Sequence, residues 1–353
     1  MLRRSLPWLF AAACGSGQAA RPDAAPGDAP PAPDAPISLP DGVGHYRGAC
    51  DGSAAVALDF DHFVEFSDED QLARFYDRGA TQAPTQTVDL TAALDLVGTG
   101  EADFEDALQL GDRIYVIGSH GRTGDGTLDR NRYHLLAVDL TLQPVGHADT
   151  ILDDLLDPAT WTVPDATVIA AFAKAAQLDD PKDPDLEPKV KGTNIEGIAR
   201  APTAAVPERI AIGFRNPQLD GRAVVVTLLN PAAAVTGARA QFGEAFRLDL
   251  GGLGIRALAW SDPLAAVLVL AGPHDDGDTP FRIYRWLPDT GALDLITELL
   301  PPAGAHPEAI VTYPNTRDVQ ILFDNDNVLI AGTPCANVAS DAQEFFDQIV
   351  HID

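Results

Sequence analysis

The sequence has 353 residues, 46% hydrophobic and 22% charged, which is the composition of a globular protein rather than a disordered one. Its formal net charge at pH 7 is -28. A surface this acidic repels nucleic acids and anionic lipid headgroups, so neither is an expected partner. The length allows one large domain or two ordinary ones.

Residues 1–14 have the pattern of an export signal. Arginines at positions 3 and 4 precede a short apolar run, and Ala11-Ala12-Ala13-Cys14-Gly15 places small residues before a cysteine. This arrangement resembles a bacterial lipobox, in which Cys14 would be lipidated. The sequence therefore predicts an exported protein, either a periplasmic or outer-membrane lipoprotein or a secreted one. It would meet the membrane only through a lipid anchor.

Residues 15–45 are rich in proline, alanine and aspartate, which predicts a disordered tether ahead of a folded domain at 46–353. Cys50 and Cys335 lie near the two ends of that domain. In an oxidising compartment an even pair of cysteines indicates a disulfide, which would fasten the ends of the fold together. The alternative is two unpaired buried cysteines.

The folded region repeats a unit of short strands separated by turn residues. The units open at Ser53, Glu105, Glu196, Arg256 and Glu308. A period of roughly 50 residues, containing about four short strands, is typical of a β-propeller blade. The chain is therefore predicted to be all-β, a β-propeller of about five blades.

The spacing between Glu105 and Glu196 is too long for one blade. Within it, residues 149–190 include an alanine-rich stretch with apolar side chains at helical spacing, among them Val168 and Phe172. We interpret this region as a helical insertion, and a degenerate sixth blade is the alternative. An insertion at this point would emerge where the inner strands begin, and would cover the channel mouth on that face.

A series of short motifs follows along the chain. They are Ser-Ala-Ala-Val-Ala-Leu at 53–58, Ile-Gly-Ser-His-Gly-Arg at 117–122 with Asn-Arg at 131–132, Asn-Ile-Glu-Gly-Ile-Ala at 194–199, Ile-Gly-Phe-Arg-Asn-Pro at 212–217, Leu-Gly-Gly-Leu-Gly-Ile-Arg at 250–256 and Pro-Glu-Ala-Ile at 307–310. Their order resembles the bacterial domain-of-unknown-function 3616 family from Ser53 to the C-terminus.

The resemblance implies a propeller with no established activity. This sequence differs at Glu105-Asp106, where the family pattern is expected to have a glutamate followed by a small residue. The Glu-Gly-Ile opening is also similar, at the level of the fold alone, to propellers of the esterase-like phytase and lactonase types.

In a propeller the opening residues of the inner strands ring the central channel at one face. The polar side chains expected at this mouth are Glu105, Glu196, Glu308, Arg122, Arg132, Arg215, Arg256, Asn194, Asn216, His120 and His274. Forked guanidinium groups bind carboxylate or phosphate in a bidentate manner, and so many arginines would make the mouth locally positive. The sequence therefore predicts that a small anionic or polyhydroxylated ligand binds at the mouth.

Other interpretations stay open. A glutamate beside arginine and histidine could act as a general base, which would make the protein a hydrolase of the phosphoesterase or lactonase type. Glutamates with Asn194 or Asn216 could instead hold a metal, for which Ca²⁺ is the candidate cofactor. The charged ring could also pair internally and plug the channel, leaving a structural or protein-interaction propeller. Whether the protein is an enzyme is left open, and we expect a monomer.

The acidic run Asp324-Asn325-Asp326-Asn327 has the composition of a hairpin turn. It lacks the spaced pattern and terminal glutamate of a calcium-binding loop. We therefore interpret it as a turn between two strands.

Overall fold

The computed structural model describes residues 43–79, 83–98, 100–275, 277 and 280–353. The predicted export signal, Cys14 and most of the predicted tether lie outside these residues. Within the described part of the chain, no helix has the length and apolar character needed to cross a bilayer.

Twenty of the described strands form five antiparallel sheets of four strands each, arranged as consecutive blades, and the other two form a separate short hairpin. After β1 (Val43–Arg47), blade 1 contains β2 (Ala54–Ala57), β3 (His62–Phe66), β4 (Leu72–Asp77) and β5 (Gln86–Asp89). Blade 2 contains β6 (Phe104–Leu110), β7 (Arg113–Gly118), β8 (Leu135–Asp139) and β9 (Pro144–Ala148). Blade 3 contains β10 (Asn194–Arg200), β11 (Ile210–Leu219), β12 (Arg222–Leu228) and β13 (Phe242–Leu248).

Blade 4 contains β14 (Gly254–Ser261), β15 (Ala266–Gly272), β16 (Phe281–Leu287) and β17 (Ala292–Leu299). Blade 5 contains β18 (His306–Thr312) and β19 (Asp318–Asp324), then the short hairpin β20 (Leu329–Ile330) and β21 (Thr333–Pro334), and finally β22 (Glu344–His351). The predicted β-propeller of five blades is confirmed, and each predicted opening residue lies in or just before the innermost strand of its blade.

The two ends of the described chain close the propeller. β1 pairs with β22, with Val43 opposite Gln348 and Arg47 opposite Glu344, so the first strand is the outermost strand of blade 5. Cys50 and Cys335 form a disulfide in the same region. The described part of the propeller therefore includes β1, which starts before the predicted boundary at residue 46.

Apolar side chains pack between neighbouring blades and leave the channel edge of each inner strand free. Between blades 3 and 4, for example, Leu258 packs against Gly197 and Gly213. A Cβ added at Gly197 would lie 2.7 Å from Leu258 Cγ, which is closer than side-chain carbons approach. This contact explains why a residue without a side chain follows Glu196.

The insertion is helical, as predicted, and contains no degenerate blade. Its helices are α1 (Ile151–Leu155) and α2 (Ala166–Ala176), and a further short helix, α3 (Pro231–Ala234), lies in blade 3. The α2 side chain Phe172 is buried against Phe214 of β11, with ring centroids 4.3 Å apart. The helices thus pack against the blades, and the expectation that they cover the channel mouth is wrong. Only residues 187–189 of the insertion reach it.

Candidate functional site

Each inner strand of blades 2 to 5 has a β-bulge at the residue predicted to open it. The strand pairing skips Glu105 in β6, Glu196 in β10, Arg256 in β14 and Glu308 in β18. A bulged residue has no partner across the ladder, and the local bend re-aims its side chain. All four of these side chains line one cavity at the channel mouth.

This mouth cavity has a volume of about 560 Å³. Of the described residues that line it, twelve are acidic (Asp51, Asp68, Glu69, Glu101, Asp103, Glu105, Glu187, Glu196, Asp275, Glu308, Asp324 and Asp326) and five are basic (Arg122, Arg132, Lys189, Arg215 and Arg256). The expectation of a locally positive mouth is therefore wrong, because carboxylates outnumber the arginines that the sequence analysis emphasised.

Eight of the eleven predicted site residues line the mouth cavity, and His120, Asn216 and His274 do not. His120 is fully buried, with its Nδ1 2.9 Å from the carbonyl oxygen of Gly118. Burial lowers the pKa of His120 to about 4, so its imidazole is neutral at pH 7. It therefore has a structural position inside blade 2.

Asn216 and His274 belong to the wall of the mouth rather than to its lining. The Asn216 side-chain amide donates hydrogen bonds to the carbonyl oxygens of Pro188 and His274, at 2.9 and 2.7 Å. Both residues line a neighbouring cavity beside α2. Asn216 therefore joins the insertion to blade 4 and is not available to a ligand in the mouth.

On the side of blades 3 to 5, the charges of the mouth are paired internally. Glu196, only 3% exposed, accepts a 2.9 Å hydrogen bond from Nη1 of Arg215. Its other oxygen lies 3.0 Å from Nε of Arg256, whose guanidinium also contacts Glu308. We call Glu196, Arg215, Arg256 and Glu308 the paired half of the mouth. This internal pairing is the arrangement that the interpretation as a charged plug expects.

Arg122 lines the mouth cavity but its guanidinium group is committed to the insertion. The side chain is 1% exposed and donates to the carbonyl oxygens of Gly126, Ala176, Gln177 and Asp180 at 2.9 to 3.1 Å. Two of these carbonyls, those of Ala176 and Gln177, lie at the C-terminal end of α2. The last carbonyls of a helix lack partners within the helix. Arg122 is therefore a cap for α2, a role that its position in the sequence did not indicate.

Replacing Arg122 with methionine should loosen the insertion without unfolding the propeller, because four carbonyl oxygens lose a charged donor. Amide hydrogen exchange in residues 166–186 should accelerate by at least about tenfold, the factor that corresponds to a loss of ~1.4 kcal/mol. Exchange in β15 and β16 of blade 4 serves as the internal control and should not change. Unchanged exchange in α2 would show that Arg122 does not hold the insertion.

On the side of blades 5, 1 and 2, the mouth has carboxylates in excess of cations. Arg132 pairs with Asp103 at 2.9 Å and contacts Glu101. Glu105 forms no hydrogen bond or ion pair with any described residue. Burial and the charges of Glu196, Asp103 and Asp68 raise the pKa of Glu105 well above its usual range. We call this side the unpaired half of the mouth. Its lining residues are Asp51, Asp68, Glu69, Glu101, Asp103, Glu105, Arg132, Asp324 and Asp326.

The sequence analysis missed most members of the unpaired half. Asp51 precedes β2, Asp68 follows β3, and Asp324 ends β19, so each lies in a turn-like stretch of sequence. Aspartate is common in turns for local reasons. The one available signal was their position next to an inner strand or next to the strand that pairs with it.

Several buried polar atoms around the mouth have no hydrogen-bond partner among the described residues. Asn194 Oδ1 is an acceptor of this kind, and its Nδ2 donates to Glu196 at 2.5 Å. Nε of Arg132 and Nε of Arg215 are donors of this kind. Buried polar groups without partners cost free energy, and such groups in a native protein call for a ligand or a water.

Asp106 closes the channel beneath the mouth. Its Oδ2 accepts hydrogen bonds from the backbone N–H groups of Ile198 in blade 3 and Leu258 in blade 4, at 2.8 and 3.0 Å. A second cavity of about 380 Å³ lies on the other side and is lined by Ala107, Ile198 and Leu258. Glu105 thus lines the mouth, while Asp106 lies between the two cavities and acts as a septum. These two adjacent acids therefore have different roles.

Comparison with curated protein sequences found no match. Among solved structures, the chain is similar to hydrazine synthase of Kuenenia stuttgartiensis, with 8% identity and a TM-score of 0.37 over 79% of this chain and 57% of that one. This chain thus spans little more than half the length of that protein.

Two further structures are similar at the same level. The β-propeller domain of Myceliophteria thermophila Cps50 (Swd1) has 10% identity and a TM-score of 0.32, over 84% of this chain and 82% of that one. A chain of the mitotic checkpoint complex has 12% identity and a TM-score of 0.39, over 94% and 99%. Similarities at this level carry no information about function.

One family model matches the sequence across blades 3 and 4 and the start of blade 5. The match begins in α2, includes the bulged residues Glu196, Arg256 and Glu308, and ends just before β19. The resemblance that the motifs predicted is therefore confirmed for residues 169–315, which match the family described as a protein of unknown function, DUF3616.

Proposed function

We propose that this protein binds a small polyhydroxylated, sugar-like ligand in the mouth cavity. The observation that carries the proposal is the mixture of polar residues that line the cavity: Glu105 has no partner among the described residues, and Asn194 and Arg215 each have a side-chain polar atom without a hydrogen-bond partner, an acceptor in Asn194 and a donor in Arg215. A hydroxyl group donates one hydrogen bond and accepts others. A ligand with several hydroxyl groups can therefore satisfy both kinds of group at once.

The excess of carboxylates favours a neutral ligand over an anion. Twelve acidic and five basic described residues line the cavity, and the guanidinium groups of Arg215 and Arg256 already have carboxylate partners. A phosphate or carboxylate would have to displace those partners and approach the remaining acids, which is unfavourable for like charges in a partly enclosed site. Of the two ligand classes predicted from the sequence, the polyhydroxylated one thus has the better support.

The volume of the cavity suits a ligand of modest size. About 560 Å³ falls within the range of small-molecule sites, which is roughly 300–1,000 Å³. The side chains that would contact the ligand are held by secondary structure, since the bulges in β6, β10 and β14 fix Glu105, Glu196 and Arg256. A site fixed in this way loses little conformational entropy when a ligand binds.

A thermal-shift screen of the purified protein tests this proposal. Neutral monosaccharides, disaccharides and sugar alcohols form one arm, and sugar phosphates and sugar acids form the other. We expect at least one compound of the neutral arm to raise Tm, because a ligand that binds only the native state stabilises it. A screen in which no neutral compound raises Tm, or in which only the anionic arm does so, would contradict the proposal.

The Glu105→Gln variant identifies the site. It removes a carboxylate that has no partner and lies among other acids, so the free energy of unfolding should stay equal or rise slightly. Binding of the compound found in the screen should weaken at least about tenfold, since the change exchanges an acceptor oxygen for an NH2 group, and a polar group left without its partner costs ~1–3 kcal/mol. The exposed Asp112→Asn change, in the turn after β6, is the matched control and should leave binding unchanged.

A further inference from the structure

A second feature of the mouth lies at the seam where blade 5 meets blade 1. Carboxylate oxygens of Asp51, Asp324 and Asp326 lie within 4.8 Å of one another. Carboxylate oxygens of Asp51, Asp68 and Glu69 form a second such group, so Asp51 is shared by both. We call these five residues the seam cluster. None of them belongs to the paired half of the mouth.

The buried member, Asp51, distinguishes this cluster from an ordinary group of surface acids. Its side chain is 3% exposed and is directed at the oxygens of its four neighbours. It forms no hydrogen bond or ion pair with any described residue outside the cluster, and the strongest charges acting on it are those of Asp68, Asp324 and Asp326. Buried carboxylates ordinarily have a cationic or donor partner. Among the described residues, Asp51 therefore has acidic neighbours and no cationic partner.

The surrounding structure holds these like charges together. On either side of Asp51, the carbonyl oxygen of Cys50 accepts a hydrogen bond from Asn325 N, and Gly52 N donates to Phe323 O. The disulfide to Cys335 ties the same segment to blade 5. Asp51 and the segment 323–326 are thus fixed to each other by backbone bonds on both sides. A binding site must be held in this way before its ligand arrives.

We propose that the seam cluster binds a divalent cation, and that the cation is Ca²⁺. The cluster offers only carboxylate oxygens, which are ligands for hard cations, whereas transition metals favour nitrogen and sulfur. Ca²⁺ takes six to eight oxygen ligands in flexible geometry, and bidentate carboxylates from Asp51, Asp324 and Asp326 would supply six of them. The glutamates considered from the sequence are poorer candidates, because Glu196 and Glu308 are already paired with arginines.

The cation site lies in the same cavity as the proposed sugar site but uses other residues, so the two sites can be tested separately. Full-length protein is treated with EDTA, dialysed, and then titrated with CaCl₂ at constant ionic strength, while Tm and the heat of binding are measured. We expect Ca²⁺ to raise Tm and to give saturable binding, with Mg²⁺ at least about tenfold weaker, since Mg²⁺ demands a stricter octahedral geometry.

The double variant Asp324→Asn/Asp326→Asn locates the site. Without Ca²⁺ its Tm should equal or exceed that of the wild type, because two like charges are removed. Its affinity for Ca²⁺ should fall at least about a hundredfold. The exposed Asp112→Asn variant should bind as the wild type does, and Glu105→Gln should retain the calcium effect even though it loses the sugar.

Two results would overturn the calcium site. One is a wild-type protein whose Tm and titration heat do not respond to Ca²⁺. The other is a double variant that responds as strongly as the wild type, which would place the ion elsewhere on this acidic surface. Loss of the calcium effect in the double variant with unchanged sugar binding supports two separate sites. A failed sugar screen with an intact calcium effect contradicts the proposed function alone.

Discussion

Replacing Asp106 with leucine should destabilise the protein by about 2–6 kcal/mol. Leucine has the same number and branching of side-chain heavy atoms as aspartate but accepts no hydrogen bond, so the N–H groups of Ile198 and Leu258 would be buried without a partner. Each such loss costs about 1–3 kcal/mol. Urea unfolding followed by tryptophan fluorescence measures the change. The effect is large because one side chain joins the inner strands of three blades.

Asp106→Asn is the matched control. The asparagine side chain keeps an oxygen that can accept from Ile198 and Leu258, and it removes a charge whose burial raises the pKa of Asp106 well above its usual range. We expect this variant to lose much less stability than Asp106→Leu. If the two variants are equally destabilised, the cross-blade hydrogen bonds are not what Asp106 contributes, and its role as a septum would have to be abandoned.

Replacing Glu196 with glutamine should destabilise the protein by about 3 kcal/mol or more. The change leaves the guanidinium groups of Arg215 and Arg256 without the carboxylate between them, and unbalanced buried charge costs about 3–5 kcal/mol. A fall in Tm of at least about 5 °C is expected. Glu196 and Glu105 thus differ sharply, although both are bulged glutamates at the same level of the channel.

Adding the substitution Arg215→Met to Glu196→Gln tests whether the loss of stability comes from an unpaired buried cation. If Glu196→Gln destabilises by leaving a buried cation unpaired, the double variant should be more stable than the sum of the two single effects predicts. A double-mutant cycle of urea unfolding gives this interaction energy. Strict additivity would show that Glu196 and Arg215 do not act as a pair, in conflict with the 2.9 Å hydrogen bond between them.

The blades could be predicted from the sequence because their signal is local. Each inner strand carries its own polar opening residue and its own apolar alternation, as in Asn194–Arg200. β1 escaped prediction because its partner strand, β22, lies at the other end of the chain, and nothing near Val43 indicates that pairing. Closure of a propeller is a long-range event with no local pattern of its own.

The candidate site was predictable only in part, for the same reason. The bulged glutamates and arginines carry a repeated motif, so their place at the mouth could be expected. The seam cluster brings Asp51 beside Asp324 only when the chain ends meet. Arg122 and Arg215 have similar positions in their repeats, yet one caps α2 and the other pairs with Glu196. Partners of this kind depend on packing between distant segments.

The division of the mouth also bears on the alternatives of a binding site and a plug. The paired half behaves as a plug, because its arginines and glutamates satisfy one another. In the unpaired half, Glu105 and Asp51 form no ion pair with a cation among the described residues. The proposed binding therefore rests mainly on the unpaired half, on blades 5, 1 and 2, with Asn194 and Arg215 of blade 3 at its edge, whereas the paired half contributes mainly stability.

Isothermal titration of the wild type and the Glu105→Gln variant with the neutral sugar or sugar alcohol that most raises Tm tests this account most directly. The account predicts saturable binding with one site per chain in the wild type. In the variant, affinity should fall at least about tenfold while the free energy of unfolding does not decrease. Equal affinity in the two proteins, or no saturable heat with the wild type, would contradict the claim that the unpaired half of the mouth is a ligand site.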